Sequence, residues 1–542
     1  MAQSKALSAQ VERRRLYGRF AINAKGVLRY ANESIEEMAP LAIDVLDVSK
    51  DGLTCKTLTK AVIDQGTPIL IDILEPSLSY TLQGKVVTCT TDGDGSRIGI
   101  RLMNTNGHLN DLYLGSKPPA LDRRNGDRRS KNSPNDEQRQ FDRRGVWQGL
   151  LTKRYFSHHA WELKKHDVYF FMKALNSAVG NHVAFDGREM VMMASNNYLG
   201  LNTHPKVKEA AINAIEKYGT GSSGSNLVGG TYDIHLELEE TLARFLRVES
   251  VCICISGYVA NTTTLTTVLH KEDAVFNDAL NHASLIDGSL RNGAYSRIFK
   301  HNDMQDLERK LAACRIKHKL VVADAVFSMD GDLAPLPELL RICKKYDAAL
   351  MLDQAHATGV FGENGRGALE HFHMDGKADI VVGTMSKSLA AIGGFIGGSK
   401  ELINILRHSA RQIFFSTNVS PSACASILAA LHIIEMEPER RQTLWRNTEQ
   451  LRTGLQQMGF NTGTTESPII PVIFPTEEET NQMAKAILDQ DIYVTPIIYP
   501  AVKKNQTRIR LSVIATHTQE DIDRTLTAFK RAKARVRVRH AL

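Results

Sequence analysis

The sequence predicts a multidomain protein. A small all-β barrel comes first, then an α/β domain with a doubly wound, mainly parallel sheet, then a smaller α+β domain. Three observations carry this. Over the first hundred residues, short β-branched runs alternate with turn signals at the spacing of a small barrel. From about residue 230 to 400, helical segments alternate with buried apolar runs, the rhythm of a parallel sheet. Between the two lies a charged stretch almost without apolar residues, and 542 residues exceed what one compact core holds.

The hydrophobic fraction of 42% and charged fraction of 23% are ordinary for a soluble globular chain. Much of the net charge of +7 sits in that charged stretch and in the C-terminal RAKARVRVRHAL, so no nucleic-acid partner is expected. The seven cysteines form no CxxC pair, which points to reduced thiols and to no metal site. The start, MAQSKALSAQVERRR, lacks the apolar core of a signal peptide, and nowhere do 18 apolar residues run together. A cytoplasmic protein without a transmembrane segment is the expectation.

The barrel is expected over residues 11–105, in the runs LAIDVLDVS, GLTCKTL, TPILIDIL, YTLQGKVVTCT and SRIGIRLM, with KDG and TDGDGS as turns. Arg15 and Arg19 form RxxxR on the approach to it; Asp47, Ser49 and Gly52 form DxSxxG at a strand end. Two guanidiniums four residues apart can fork onto phosphates and stack on guanine faces. The Asp–Ser–Gly turn offers an acceptor to a guanine edge and lets backbone come close. By these motifs, their spacing and the closing RIGIRLM, the first hundred residues resemble a PilZ domain. That implies binding of cyclic di-GMP through Arg15, Arg19, Asp47, Ser49 and Gly52.

Residues 106–150, containing LDRRNGDRRSKNSPNDEQRQFDRRG, cannot bury enough surface to fold alone and read as a flexible tether. The DRR triplet recurs at Asp122, Asp127 and Asp142. A solvated linker with self-neutralising charges explains it; arginines that clamp the nucleotide or dock the domains are the alternative.

Residues 151–535 form the catalytic region, divided near 200–415 and 416–535, with a basic tail at 536–542. A polar and aromatic helical stretch, YFSHHAWELKKHDVYFFMKALNS, leads into it. In doubly wound folds ligands sit at the carboxyl ends of strands. There, AALMLD ends on Asp353, with His356 on the following turn, and ADIVVGT delivers Thr384, Ser386 and Lys387 before a glycine-rich turn. Unpaired burial of either charge would be costly, so a structural explanation is hard to find. A carboxylate leaving one buried strand and a lysine leaving another is what pyridoxal phosphate (PLP) requires. Asp353 would keep the pyridine nitrogen protonated, Lys387 would bond the aldehyde, and Thr384 would bind the phosphate.

Other strand ends extend the set. SGYVAN places Gly257 and Tyr258 at a helix start whose N–H groups could cradle a phosphate. NHAS places His282 where an imidazole could stack on a pyridine ring. DAVFSMDG supplies Asp324 and Ser328 in a loop within reach of cofactor or substrate, and TRIRLSVIATH puts Arg508 and Arg510 on one strand face, suited to a substrate carboxylate.

Taken with SNNYLGL, GTGSSGSNLVGGT, DALNHASLIDG, DQAHATG, GTMSKSLAAIGGFIGG and FFSTNVSP, the segment from about 160 to 535 resembles the α-oxoamine synthases. These are PLP enzymes of fold type I that join an amino acid to an acyl thioester with loss of CO2. The resemblance implies that Lys387 bonds the cofactor, Asp353 pairs with its pyridinium and His356 donates to its ring hydroxyl. His282 would stack on the ring and, like Lys387, carry protons. Thr384, Gly257, Tyr258 and Ser328 would complete the cofactor site. Ser416 and Thr417 would reach the phosphate of a neighbouring subunit, which implies a homodimer. Arg510, seven residues before His517, would bind the substrate carboxylate, and Asn197 would touch substrate or thioester.

Two departures from the family pattern stand out. Gln354 replaces a usual acid, which would change the charge near the ring. Lys503, Lys504 and Asn505 stand where relatives often have Pro and Gly, which would favour coenzyme A or acyl carrier protein as donor. The amino acid (serine, alanine or glycine) and the acyl chain stay open. Fusion of a sensor barrel to an enzyme suggests regulation by cyclic di-GMP. The rivals are a receptor with a non-catalytic docking module and an ordinary transaminase.

Overall fold

The computed structural model describes residues 169–536, Leu163–Lys164, and the backbone of six strands between Phe20 and Asn104. Arg15, Arg19, the 106–150 tether and the 537–542 tail lie outside the described residues. Two compact units, Met1–Arg139 and Gln140–Leu542, divide the chain.

In the first unit, β1 (Phe20–Tyr30), β2 (Leu41–Ser49), β3 (Gly52–Thr57), β4 (Pro68–Glu75), β5 (Leu78–Asp92) and β6 (Gly95–Asn104) pair antiparallel. The order β1-β2-β3-β6-β5-β4 closes on itself, β4 meeting β1. Asp47 and Ser49 fall on β2, and Ser49 stands opposite Gly52, the first residue of β3.

The second unit opens with a hairpin, β7 (His182–Phe185) and β8 (Arg188–Met192). Its centre is a seven-stranded sheet of β9 (Ser250–Cys254), β10 (Ala274–Asp278), β11 (Tyr295–Phe299), β12 (Lys319–Asp324), β13 (Ala349–Asp353), β14 (Ile380–Thr384) and β15 (Gly394–Gly398), in the order β11-β10-β12-β13-β14-β15-β9. The five strands β10 to β14 run parallel; β15 lies antiparallel to both its neighbours, so the sheet is mixed. β10 and β14 are buried along their whole lengths, the mark of strands covered on both faces. Phe276 and Phe395 are completely buried, each contributing roughly 2–3 kcal/mol of transfer free energy. A smaller antiparallel sheet follows, β16 (Ile469–Phe474) beside β19 (Thr507–Ser512) beside β18 (Pro496–Ile497), while β17 (Ile492–Tyr493) joins β8.

Three features of the second unit differ from or add to what the sequence predicts. The stretch expected to be helical is not helical over Tyr169–Ser177. There Asn176 N–H donates to the Ala184 carbonyl (2.8 Å) and Ser177 Oγ accepts from Ala184 N–H (2.8 Å), so β7 takes the hydrogen bonds a helix would use. Second, the β7–β8 hairpin packs with the smaller sheet, because β17 pairs with β8 and Ser512 N–H donates to the Met193 carbonyl (2.8 Å). Third, the Pro421–Met436 helix packs on the Pro205–Tyr218 and Asp233–Leu246 helices.

Candidate active site

The carboxyl ends of β9, β10, β12, β13 and β14 bring the candidate residues together. After β9, Ser256 caps the Gly257–Val268 helix, its Oγ accepting from Val259 N–H (3.2 Å), so the first N–H groups of the helix stay available to an anion. Gly257 lies hard against the end of β14: a Cβ built on it would come within 2.8 Å of Thr384 Cβ. Thr384 Oγ1 is shared with Ser386 Oγ (2.8 Å) and donates to the Gly393 carbonyl (3.2 Å). Helix start, hydroxyl pair and bare glycine make a cup of phosphate chemistry.

Asp353 ends β13 and is 5% exposed. Asn261, on the helix that Ser256 caps, donates to its Oδ2 (2.6 Å), and Ala355 N–H donates to its Oδ1 (2.8 Å). The Asn261 Oδ1 is buried without a partner among the described residues. Lys387 is half-buried and makes no ion pair among the described residues. Burial lowers its pKa, Asp353 opposes this and Arg510 adds to it, leaving it at about 8. His356 is buried, its Nδ1 2.7 Å from the Tyr198 hydroxyl. Burial, then the Lys387 charge, hold its pKa well below the usual histidine value, so it is a neutral imidazole. Burial likewise lowers His282.

His282 caps the Ala283–Leu290 helix, with Nδ1 2.7 Å from Ser284 Oγ, which fixes the ring. Its backbone N–H donates to Asp324 Oδ2 (2.7 Å). Asp324 was expected in a loop; it is the buried last residue of β12, opposite Asp353 in register. Burial and the neighbouring Asp353 charge raise its pKa well above the carboxylate range, so the two carboxyls do not both carry charge at full cost.

The two arginines of β19 have different surroundings. Arg508 donates from Nη1 to Asp330 Oδ1 (2.6 Å) and the Met329 carbonyl (2.9 Å). Arg510, 8% exposed, donates to the Ser328 carbonyl (2.5 Å), to Asn196 Oδ1 from both terminal nitrogens (3.1 Å each) and to Ser512 Oγ (3.0 Å). No carboxylate pairs with it among the described residues. A buried guanidinium held only by neutral acceptors can take a carboxylate.

Several residues take other places than expected. Ser328 offers its carbonyl to Arg510. Asn197 turns inward, its carboxamide donating to the Val179 carbonyl (3.2 Å) and Asn202 Oδ1 (2.5 Å); Asn196 beside it reaches the site. Gln354 is buried with Oε1 accepting from Ala368 N–H (2.6 Å), which occupies its polar end. Tyr258 is exposed, meeting His282 edge-on. Thr417 bridges Ser225, Ser416 Oγ donates to the Thr417 carbonyl (3.3 Å), and Lys503 and Lys504 lie exposed on the loop before β19. Sequence reading missed Asn196, Tyr198 and Asn261. SNNYLGL and SGYVAN hold all three, but only the turn and helix phase show which side chains face inward.

These residues fit PLP: a cup that a Cβ would fill for the phosphate, a buried hydrogen-bonded carboxylate for the ring nitrogen, and a lysine of depressed pKa for the aldehyde. Gly257→Ala is therefore expected to weaken PLP binding on the order of tenfold or more in equilibrium titration, because the added methyl crowds Thr384.

Fold and site together define a PLP-dependent transferase of fold type I. The chain matches the family model of aminotransferase class I and II over residues 188–529, and the PilZ domain model over 13–113. It is 42% identical to the 8-amino-7-oxononanoate synthase of Thermoanaerobacter pseudethanolicus over 372 residues, 68% of this chain and 94% of that protein. It is 40% identical to the serine palmitoyltransferase of Sphingobacterium spiritivorum over 379 residues, covering 69% and 94%. A solved serine palmitoyltransferase carrying PLP superposes with a TM-score of 0.69 at 32% identity, covering 73% of this chain and 99% of that one. The Sphingomonas wittichii serine palmitoyltransferase gives 0.68 at 30%, covering 70% and 96%. The chain belongs to the aminotransferase class I and II family and, within it, to the α-oxoamine synthases, PLP-dependent C-acyltransferases. Among the described residues no helix is long and apolar enough to cross a membrane.

Proposed function

We propose that this chain condenses serine, alanine or glycine with an acyl thioester, losing CO2, to give an α-amino ketone. The observation that carries it is Arg510, a buried cation with neutral hydrogen-bond partners whose charge is felt by Lys387 and His356. PLP, when bound, supplies an aldehyde for the amine and a ring that withdraws electrons from Cα. Asp353 would hold the ring nitrogen protonated, the Gly257 helix start and Thr384 would hold the phosphate, and neutral His356 would donate from Nε2 to the ring hydroxyl. Arg510 would orient the substrate carboxylate. Lys387, with a pKa of about 8, suits moving the Cα proton near neutral pH. Release of free thiol on mixing one of the three amino acids with an acyl-CoA tests the reading; transfer of the amino group to give a 2-oxo acid, without thiol, would contradict it.

A homodimer is part of the proposal. Ser416 and Thr417 follow Phe415, 82% exposed, and Thr417 bridges Ser225 in the loop that carries Val228, 77% exposed. Large apolar side chains at such exposure suit a protein partner, and a second copy would bring these hydroxyls to its phosphate. The cytoplasm suits an enzyme of this kind with reduced thiols.

The PilZ match supports cyclic di-GMP as regulatory ligand, bound by Arg15, Arg19, Asp47, Ser49 and Gly52. The nucleotide is expected to bind the full chain by calorimetry and to change turnover at saturation. Arg15→Ala with Arg19→Ala should abolish both effects and leave basal turnover unchanged. Equal turnover with and without saturating nucleotide would remove the regulatory reading.

A further inference from the structure

We propose that His301 is a positioning residue: as an imidazolium it ties Asp278 to Asp332 and so holds the His282 turn and the Ser328–Asp330 loop in place around the substrate. His301 follows β11. Its Nδ1 lies 2.9 Å from Asp278 Oδ1 and its Nε2 lies 2.7 Å from Asp332 Oδ2. Both carboxyls are buried, 1% and 7% exposed, and the ring meets Phe327 edge-on at 4.4 Å. Each ring nitrogen faces a carboxylate oxygen, so each must donate, and only the doubly protonated ring can do so. Asn302 braces the same pair: its N–H donates to Asp278 Oδ2 (2.9 Å) and its Nδ2 to Asp332 Oδ2 (3.0 Å).

The tie reaches two walls of the site. On one side, Asp278 ends β10 and its Oδ1 accepts from Leu280 N–H (2.8 Å), shaping the turn that delivers His282. On the other, Asp332 belongs to a closed loop in which Val326 bridges Leu333 and Gly331 N–H donates to the Phe327 carbonyl (2.8 Å). That loop holds the Ser328 carbonyl on Arg510 and Asp330 on Arg508. Gly331, at φ +74°, has no room for a Cβ, since Thr465 Oγ1 would lie 2.4 Å away, so the loop has little freedom to adjust. His301 has no hydrogen bond to Lys387, Asp353, Thr384 or Arg510; it acts through the two loops.

The charged groups facing the ring are Asp278 from β10 and Asp332 from the loop. Burial pulls the His301 pKa down, but hydrogen bonds to both carboxylates outweigh this and push it up to about 10. A raised pKa means the stability it confers is fully present below the ordinary value of 6.5 and is lost as pH rises through about 10.

The proposal rests on reading Arg510 as the carboxylate site. Its test uses PLP-loaded full-length protein, His301→Gln and Asp332→Asn, titrated with glycine, alanine and serine and with methylamine, ethylamine and ethanolamine. His301→Gln is expected to raise the amino-acid Kd on the order of tenfold, since a displacement near 1 Å can cost up to a hundredfold, while amine Kd values change less than twofold. Asp332→Asn, nearly isosteric, should move the amino-acid Kd the same way. The wild-type melting temperature should fall between pH 8.5 and 10.5 more than that of either variant. Equal changes for amino acids and amines, or no change in Asp332→Asn, would overturn the proposal. If none of the amino acids binds wild type, the reading of Arg510 fails; the melting profiles then judge the tie alone, matching profiles overturning it.

Discussion

Lys387→Ala is expected to lower turnover by about a thousandfold or more, the largest effect of any single change, because the two roles proposed for Lys387, covalent anchor and proton carrier, would both be lost. PLP should remain bound through the Gly257–Thr384 cup and Asp353, so cofactor content after gel filtration should fall far less than activity. The depressed pKa adds a second readout. A neutral amine is the nucleophile, so the rate at which the apoenzyme captures PLP should climb as pH rises through about 8 and then level off. A climb delayed until pH 10 would mean that Lys387 is a solvated lysine. In Lys387→Ala the covalent capture should be absent at every pH.

Arg510→Leu is expected to raise the amino-acid Kd about a hundredfold, the scale of losing a buried charge-assisted carboxylate contact, with little effect on amines of the same side chain. Arg508→Leu should behave differently although it lies on the same strand face. Its guanidinium is satisfied by Asp330 and the Met329 carbonyl, so the loss should appear first as a lower melting temperature. The two variants thus separate a binding cation from a structural one. Equal effects on amino-acid affinity would contradict that assignment.

What the sequence revealed follows the physics of strand ends. The places of Asp353 and Thr384 at strand ends, with His356 and Lys387 just beyond them, were legible because an ionisable or hydroxyl residue that closes an apolar run stands out against the run itself. The mainly parallel sheet was legible from the alternation of segments, but the antiparallel insertion of β15 was not, since Gly394–Gly398 reads like any buried strand. Alternation put Arg508 and Arg510 on one face without distinguishing them; the difference is made by Asp330, 178 positions away from Arg508. Asn196 and Asn197 are adjacent carboxamides, and the turn between them decides which one faces Arg510. The Asp278–His301–Asp332 tie spans separations of 23 and 31 residues and exists only because neighbouring strand ends meet. Gln354 raised an electrostatic expectation from its residue type; its polar end is taken up by Ala368 N–H, a contact no local pattern announces.

Decarboxylative condensation is tested by following the carboxyl carbon of the amino acid. Carboxyl-labelled glycine, alanine and serine would each be mixed with PLP-loaded enzyme and a series of acyl-CoAs, and labelled CO2 and free thiol measured together. One pairing is expected to release both in equal amounts, with no 2-oxo acid. Thiol without CO2, CO2 without thiol, or label retained in a 2-oxo acid would rule out decarboxylative condensation.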